Sequence, residues 1–136
     1  MIGVIDTSAL IRVFVPDGPV PEGLEAFLRG AETGENIAIA PQLMLAEAGN
    51  VLHKKRLRGE LSDKEALTLL DLVQSMPIRL VGHEELMGGA LRLAGQHKLT
   101  VYDALFLELA RQKGAHLFSA DEQLCSLTPS TLTTDN

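Results

Sequence analysis

The chain has 136 residues, 46% of them hydrophobic, which is enough for one domain with a substantial core and too little for a second. A single cysteine, Cys125, excludes an intrachain disulfide and any multi-cysteine zinc site, and 4% aromatic residues argue against a base-stacking platform of the kind used by single-strand or RNA-recognition sheets. The net charge of -6 does not by itself suggest a nucleic-acid binder, since such domains are usually basic.

In chain order, Ile2 to Ile5 reads as a short buried strand and Thr7 to Val15 as the helix that follows it. Asp6 interrupts this opening apolar run, and no basic n-region precedes it, so a signal peptide is not expected. Pro16, Gly18, Pro19 and Pro21 mark a loop, and Glu22 to Ala31 carries Leu24, Phe27 and Leu28 at helical spacing. Ile37 to Ala40 is a second strand. Pro41 suits the first turn of a long helix to about Arg58, with Gly59 as its stop.

Ser62 to Glu65 forms a capping box that starts a helix running through Met76, before Pro77. Ile78 to Val81 is a third strand, His83 to Gly95 a helix, and Tyr102 to Lys113 another that stops at Gly114. Ala115 to Phe118 is a fourth strand, followed by a short helix beginning near Asp121. The domain is expected to span 1–125, with 126–136 as a polar tail. No apolar stretch is long enough to span a bilayer, and the expected setting is the reducing cytoplasm.

Strands alternating with helices predict an α/β sandwich around a parallel sheet, because a crossover helix is the natural link between parallel strands. Sites in such folds lie just beyond the carboxyl ends of the strands. Asp6 follows the first strand, and Asp121 lies just past the fourth. Glu47 sits on a helix face whose neighbours one turn away are Leu43, Met44, Asn50 and Val51, and Asp103 shares a stripe with Phe106, Leu107 and Ala110.

Four carboxylates brought together without cations would repel and raise one another's pKa. Oxygen-rich sets of this kind suit Mg²⁺ or Mn²⁺, and the chemistry they imply is metal-assisted phosphodiester hydrolysis. Helix capping competes with this reading at Asp6, Asp103 and Asp121, and at Ser119 through its capping-box spacing with Glu122. It cannot explain Glu47. Asn50, one turn on, is either a partner of that carboxylate or a boundary residue. The basic run Lys54, Lys55, Arg56 and Arg58 is either a solvated helix end or a phosphate-contacting patch. The four histidines lack paired ligand spacing, and no serine elbow or phosphate-cradling glycine loop is present.

Together, Val4-Ile5-Asp6-Thr7-Ser8-Ala9-Leu10, Leu45-Ala46-Glu47-Ala48-Gly49-Asn50, Tyr102-Asp103-Ala104-Leu105-Phe106 and Ser119-Ala120-Asp121 resemble the PIN-domain family, in particular VapC-type toxins. The resemblance implies a three-layer α/β/α fold with a short, mainly parallel sheet and a Mg²⁺- or Mn²⁺-dependent endoribonuclease. Frequent homodimers and a cognate antitoxin reaching near the acidic pocket are also implied. Asp6, Glu47, Asp103 and Asp121 take the acidic roles, with Asp6 and Asp103 the direct metal ligands. Ser8 and Ser119 become supporting hydroxyls and Asn50 a polar contact. The polar tail departs from the family pattern, in which a further helix and an edge strand follow the last acidic motif.

Two other functions fit parts of the pattern. A metal-dependent adhesion site would use Asp6-Thr7-Ser8, but Leu10 breaks its third ligand position. A small-molecule phosphatase would need a paired Asp-x-Asp that the opening lacks.

Overall fold

A computed structural model describes residues 1–128. Strands β1 (Ile2–Ile5), β2 (Ile37–Pro41), β3 (Ile78–Val81) and β4 (His116–Phe118) form one sheet, ordered β3-β2-β1-β4, with every pairing parallel. Seven helices accompany them among the described residues: α1 (Thr7–Phe14), α2 (Leu24–Thr33), α3 (Leu43–Leu57), α4 (Asp63–Gln74), α5 (Met87–His97), α6 (Val101–Lys113) and α7 (Glu122–Leu127). None is long and apolar enough to cross a membrane.

The strand order dictates the layers. From β1 to β2 to β3 the chain steps in one direction, then returns past β1 to reach β4. Right-handed crossovers therefore place α1–α4 on one face and α5–α6 on the other. Accordingly α2 and α3 pack on β2, while α6 crosses β1, β2 and β4 with α5 against it. This is the α/β/α sandwich the sequence predicts, and the direction of winding reverses between β1 and β4. Crevices outside the strand ends open at such a reversal.

The core is aliphatic. Val4 and Ile5 are sealed from solvent, and Ala104 to Ala110 of α6 are buried consecutively, as expected of a helix covered on all sides. Gly3 is required where it stands: a Cβ would collide with the rings of Phe27 and Phe118, which pack at 4.9 Å between centroids.

Several boundaries differ from the sequence reading. Pro41 closes β2 opposite Val81 rather than opening α3, because the ladder continues one residue further and Gln42 N–H donates to Val81 O. Helix α4 stops at Gln74, with Ser75 and Met76 closing a turn. Helix α5 begins at Met87, because His83 to Leu86 make a separate turn in which His83 Nε2 accepts the Leu43 N–H. Helix α7 takes in Ser126 and Leu127, which the sequence reading gave to the tail. The rest of that tail, 129–136, and with it the question of a further edge strand, lies outside the described residues. The capping box stands as expected, Ser62 and Glu65 exchanging bonds of 3.1 and 2.9 Å.

Candidate active site

Asp6 is held at the reversal point by its backbone. Its N–H extends the sheet by donating to Phe118 O at 2.9 Å, while its carbonyl accepts the N–H groups of Ala9 and Leu10 at the head of α1. It is thus the N-cap residue of α1 in position, yet its carboxylate caps nothing. Oδ2 instead accepts Ser119 Oγ–H at 2.7 Å and Ser8 Oγ–H at 2.9 Å. The capping reading of Asp6 therefore holds for its backbone, while its side chain is turned to the two serines.

The two serines join the loops that follow β1 and β4. Having donated to Asp6, Ser8 Oγ accepts the Ala120 N–H and Ser119 Oγ accepts the Asp121 N–H. Ser119 forms no capping box with Glu122. Asp121 is the N-cap of α7, its Oδ1 accepting from Gln123 N–H at 2.9 Å and Leu124 N–H at 3.3 Å. Asp103 lies in the first turn of α6, where Thr100 caps the helix by accepting the Asp103 N–H.

Glu47, half-buried in the second turn of α3, accepts the hydroxyl of Thr7 at 2.8 Å through Oε1. Thr7 is a functional candidate that the sequence reading passed over. The available signal was a hydroxyl one residue past a strand-end aspartate, at a helix start that the fold buries. Asn50 makes no bond to Glu47. It is exposed one turn further on and, with Leu43, Ala46, Glu47 and Tyr102, lines a cavity of about 320 Å³.

Burial is the main reason that Asp6, Glu47 and Asp103 all hold their protons above the ordinary carboxylate range, and mutual repulsion adds to it. Asp6 feels the charge of Asp103, Glu47 feels Asp6 and Asp103, and Asp103 feels Asp121. Hydrogen bonds from Ser119, Ser8 and the Thr7 N–H offset part of the rise at Asp6, and the Thr7 hydroxyl does so at Glu47. Among the described residues, no ion pair involves any of the four acids.

A divalent cation fits this chemistry. In Glu47 and Asp121 one carboxylate oxygen is fixed by the protein and the other carries no protein hydrogen bond among the described residues, and in Asp6 the two serines orient Oδ2, so each group is held in place with lone pairs to spare. The donors are all oxygen, as hard cations prefer. They do not form a tight cage: among the described residues no three His, Cys, Asp or Glu side chains already stand at ligand spacing.

The basic run does not form one patch. Lys55 is buried, its ammonium 2.6 Å from Asp17 and 3.6 Å from Glu60, so it is corrected from an RNA-contacting candidate to a strap between the α1–α2 loop and the end of α3. Arg56 pairs with Asp63 at 3.6 Å and bonds His53, and Arg58 pairs with Glu60. Lys54 is exposed, two turns past Glu47 on the same helical face and about 10 Å along the axis.

Comparison with known proteins agrees with this architecture. The model of the PIN domain matches residues 3–128. Ribonuclease VapC3 of Pyrobaculum aerophilum is 30% identical over 96% of this chain and 97% of its own. Ribonuclease VapC1 of Mycobacterium tuberculosis is 28% identical over 90% and 88%. Among solved structures, PAE2754 from Pyrobaculum aerophilum superposes with a TM-score of 0.70 at 24% identity, covering 98% of this chain and 87% of that one. The Mycobacterium tuberculosis toxin VapC20, described as cleaving the sarcin-ricin loop, superposes with 0.62 at 15%, covering 91% and 93%; both likenesses are of fold. With the family match spanning nearly its whole length, this chain belongs to the PIN-domain family.

Proposed function

We propose that this protein is a Mg²⁺- or Mn²⁺-dependent endoribonuclease and the toxin of a toxin–antitoxin pair. The observation that carries the proposal is the acid quartet itself, left without a single basic partner among the described residues and with three of its members pushed towards protonation. The full-length resemblance to proteins named VapC ribonucleases supplies the substrate class.

Asp6 and Asp103 would hold the cation, with Glu47 and Asp121 completing its oxygen surroundings. A bound divalent ion supplies charge stabilisation at a phosphoryl oxygen and a water of lowered pKa. The chain's own work is positional. Ser8 and Ser119 fix one oxygen of Asp6, Thr7 fixes one of Glu47, and the helix amides fix one of Asp121. A phosphodiester carries the same charge sign as all four carboxylates, so RNA cannot approach them closely until a cation is in place. Attack by water on phosphorus with cleavage of the P–O3′ bond and protonation of the departing O3′ leaves a 5′-phosphate and a 3′-hydroxyl. A cognate antitoxin, a homodimer and action in the cytoplasm belong to the same reading.

The adhesion-site alternative gains nothing from the fold, because Leu10 is wholly buried in the core where a third ligand would be needed. The deciding experiment incubates purified protein with RNA and Mn²⁺, then maps the new ends. Cleavage giving 5′-phosphates that disappears with EDTA and in the Asp6→Asn, Asp103→Asn double variant is expected. Cleavage unchanged in that variant would refute the assignment.

A further inference from the structure

The chain holds four phenylalanines, one tyrosine and no tryptophan. Phe27, Phe106 and Phe118 are buried and Phe14 is partly covered, whereas Tyr102 is 59% exposed. The most exposed aromatic ring is therefore the one beside Asp103, on the wall of the 320 Å³ cavity that it shares with Leu43, Ala46, Glu47 and Asn50. An aromatic side chain left in water forgoes one of the largest burial gains open to any residue. Single exposed apolar side chains are ordinary, Leu57 at 72% among them; what distinguishes Tyr102 is its place on that wall beside the acids, where its face is open to a ligand.

The lining states which kind. Tyr102 offers a π-face, Leu43 and Ala46 an aliphatic surface, and Asn50 an amide that both donates and accepts. No lysine or arginine lines the cavity, so its own walls offer a phosphate no cationic partner. A flat, uncharged heterocycle with polar edges matches all three surfaces. Only a base outside a duplex can present its face for stacking and its pairing edge to an amide. We propose that Tyr102 stacks an unpaired RNA base next to the acid pocket while Asn50 contacts its edge, which makes these two residues the ones that position the strand beside the acids. This inference rests on the ribonuclease reading for its substrate class. It asks for one stacking ring on a helix rather than a sheet-borne stacking platform, against which the scarcity of aromatic residues argues.

Because there is one tyrosine, protein labelled at tyrosine gives a single ring spin system in an NMR spectrum. The Asp6→Asn variant, expected to bind without cutting, is titrated with a short single-stranded RNA, with the same strand annealed to its complement, and with an abasic version. The ring resonances should move upfield only with the base-bearing single strand. Tyr102→Ala should bind that strand roughly tenfold more weakly, and Tyr102→Phe within about twofold of Tyr102. Equal shifts from the abasic or duplex RNA, or undiminished binding by Tyr102→Ala, would overturn the proposal. Ring shifts specific to the base-bearing strand in a protein whose wild type cuts no RNA would keep the stacking site and defeat the ribonuclease reading. RNA cleavage with an unaltered KM in Tyr102→Ala would do the reverse.

Discussion

Asp6 and Glu108 are both carboxylates withdrawn from water, at 5% and 1% exposure, and the fold treats them in opposite ways. Glu108, in the middle of α6, is gripped by Arg111 through two bonds of 2.8 Å and by Gln112 at 2.7 Å, and Gln112 also reaches Glu85 O on the loop before α5. Those partners hold its pKa below the ordinary range, the bonds from Arg111 contributing most. Gly89 leaves the room the carboxylate occupies, since a Cβ there would strike it. Asp6 receives two hydroxyls and the Thr7 N–H, all neutral donors, beside a like charge from Asp103, and burial outweighs them so that its pKa rises. Burying an acid is therefore not what marks the site in this protein. Burying it without a cation is, because the missing positive charge must then come from outside the chain.

Exchanging the two acids for neutral residues tests this contrast most severely. Asp6→Asn should lower RNA cleavage by about 10³-fold or more. It should also raise the melting temperature of the metal-free protein, because an uncompensated charge is gone. Glu108→Ala should do the opposite, costing about 2 kcal/mol through lost charge-assisted bonds while leaving kcat of the folded enzyme in place. Cleavage assays beside thermal melts check both. Destabilisation by Asp6→Asn together with inactivation by Glu108→Ala would erase the distinction.

The same contrast predicts two opposite limbs in a pH–stability curve. Asp6, Glu47 and Asp103 bind protons more tightly folded than unfolded. Without metal their contribution is therefore most favourable below the ordinary carboxylate range and is lost as pH rises through their elevated values. Glu108 has its pKa lowered, so its contribution is present above its ordinary value of 4.5 and is lost as pH falls through the depressed one. Melts in EDTA should show Asp6→Asn flattening the upper limb and Glu108→Ala the acid limb. Mn²⁺ at a hundredfold excess over its Kd should restore about 2.7 kcal/mol near neutral pH to the wild type and much less to Asp6→Asn. A wild type indifferent to Mn²⁺ would break the link between the raised carboxylates and a cation.

A smaller effect is expected at the Thr7 side chain, whose hydroxyl bonds Glu47 alone among the four acids. Thr7→Val should reduce cleavage roughly tenfold, the worth of one well-placed hydrogen bond, and Thr7→Ser should return most of it. Equal loss in both variants would assign Thr7 to packing rather than positioning.

How far the sequence was readable follows the range of the forces involved. The four strands, the capping box at Ser62 and the helix stop at Gly114 were legible because they depend on neighbours a few residues apart. The places of Asp6 and Asp121 past strand ends, and of Glu47 and Asp103 on helices, were legible because strand ends and helix faces fix where side chains project. What local pattern could not supply was pairing across the chain. Glu108 looks like any acid in a helix until Arg111 and Gln112 close on it. Thr7 meets Glu47 from forty residues away, and Asp17 finds Lys55 across the α1–α2 loop. Pro41 was misplaced for a related reason, since only its register with Val81 shows that the strand goes on.

The mildest prediction carries the comparison from acids to bases. Lys55, adjacent in sequence to Lys54, is neutralised by Asp17 and Glu60 as Glu108 is by Arg111, whereas Lys54 is exposed and belongs to no ion pair among the described residues. Only Lys54 lies on the helical face that carries Glu47, so only it is placed to meet a phosphate of RNA seated on the acids. Lys54→Ala should weaken RNA binding by no more than about threefold near physiological salt, and should reduce the slope of log affinity against log salt by about one. Lys55→Ala should leave that slope unchanged and lower the melting temperature, because it strands Asp17 and removes the strap. Binding isotherms at several salt concentrations separate the two. A slope that fell for Lys55→Ala and not for Lys54→Ala would mean that the Asp17 pair opens when RNA arrives, and that compensation in this protein is conditional on the substrate.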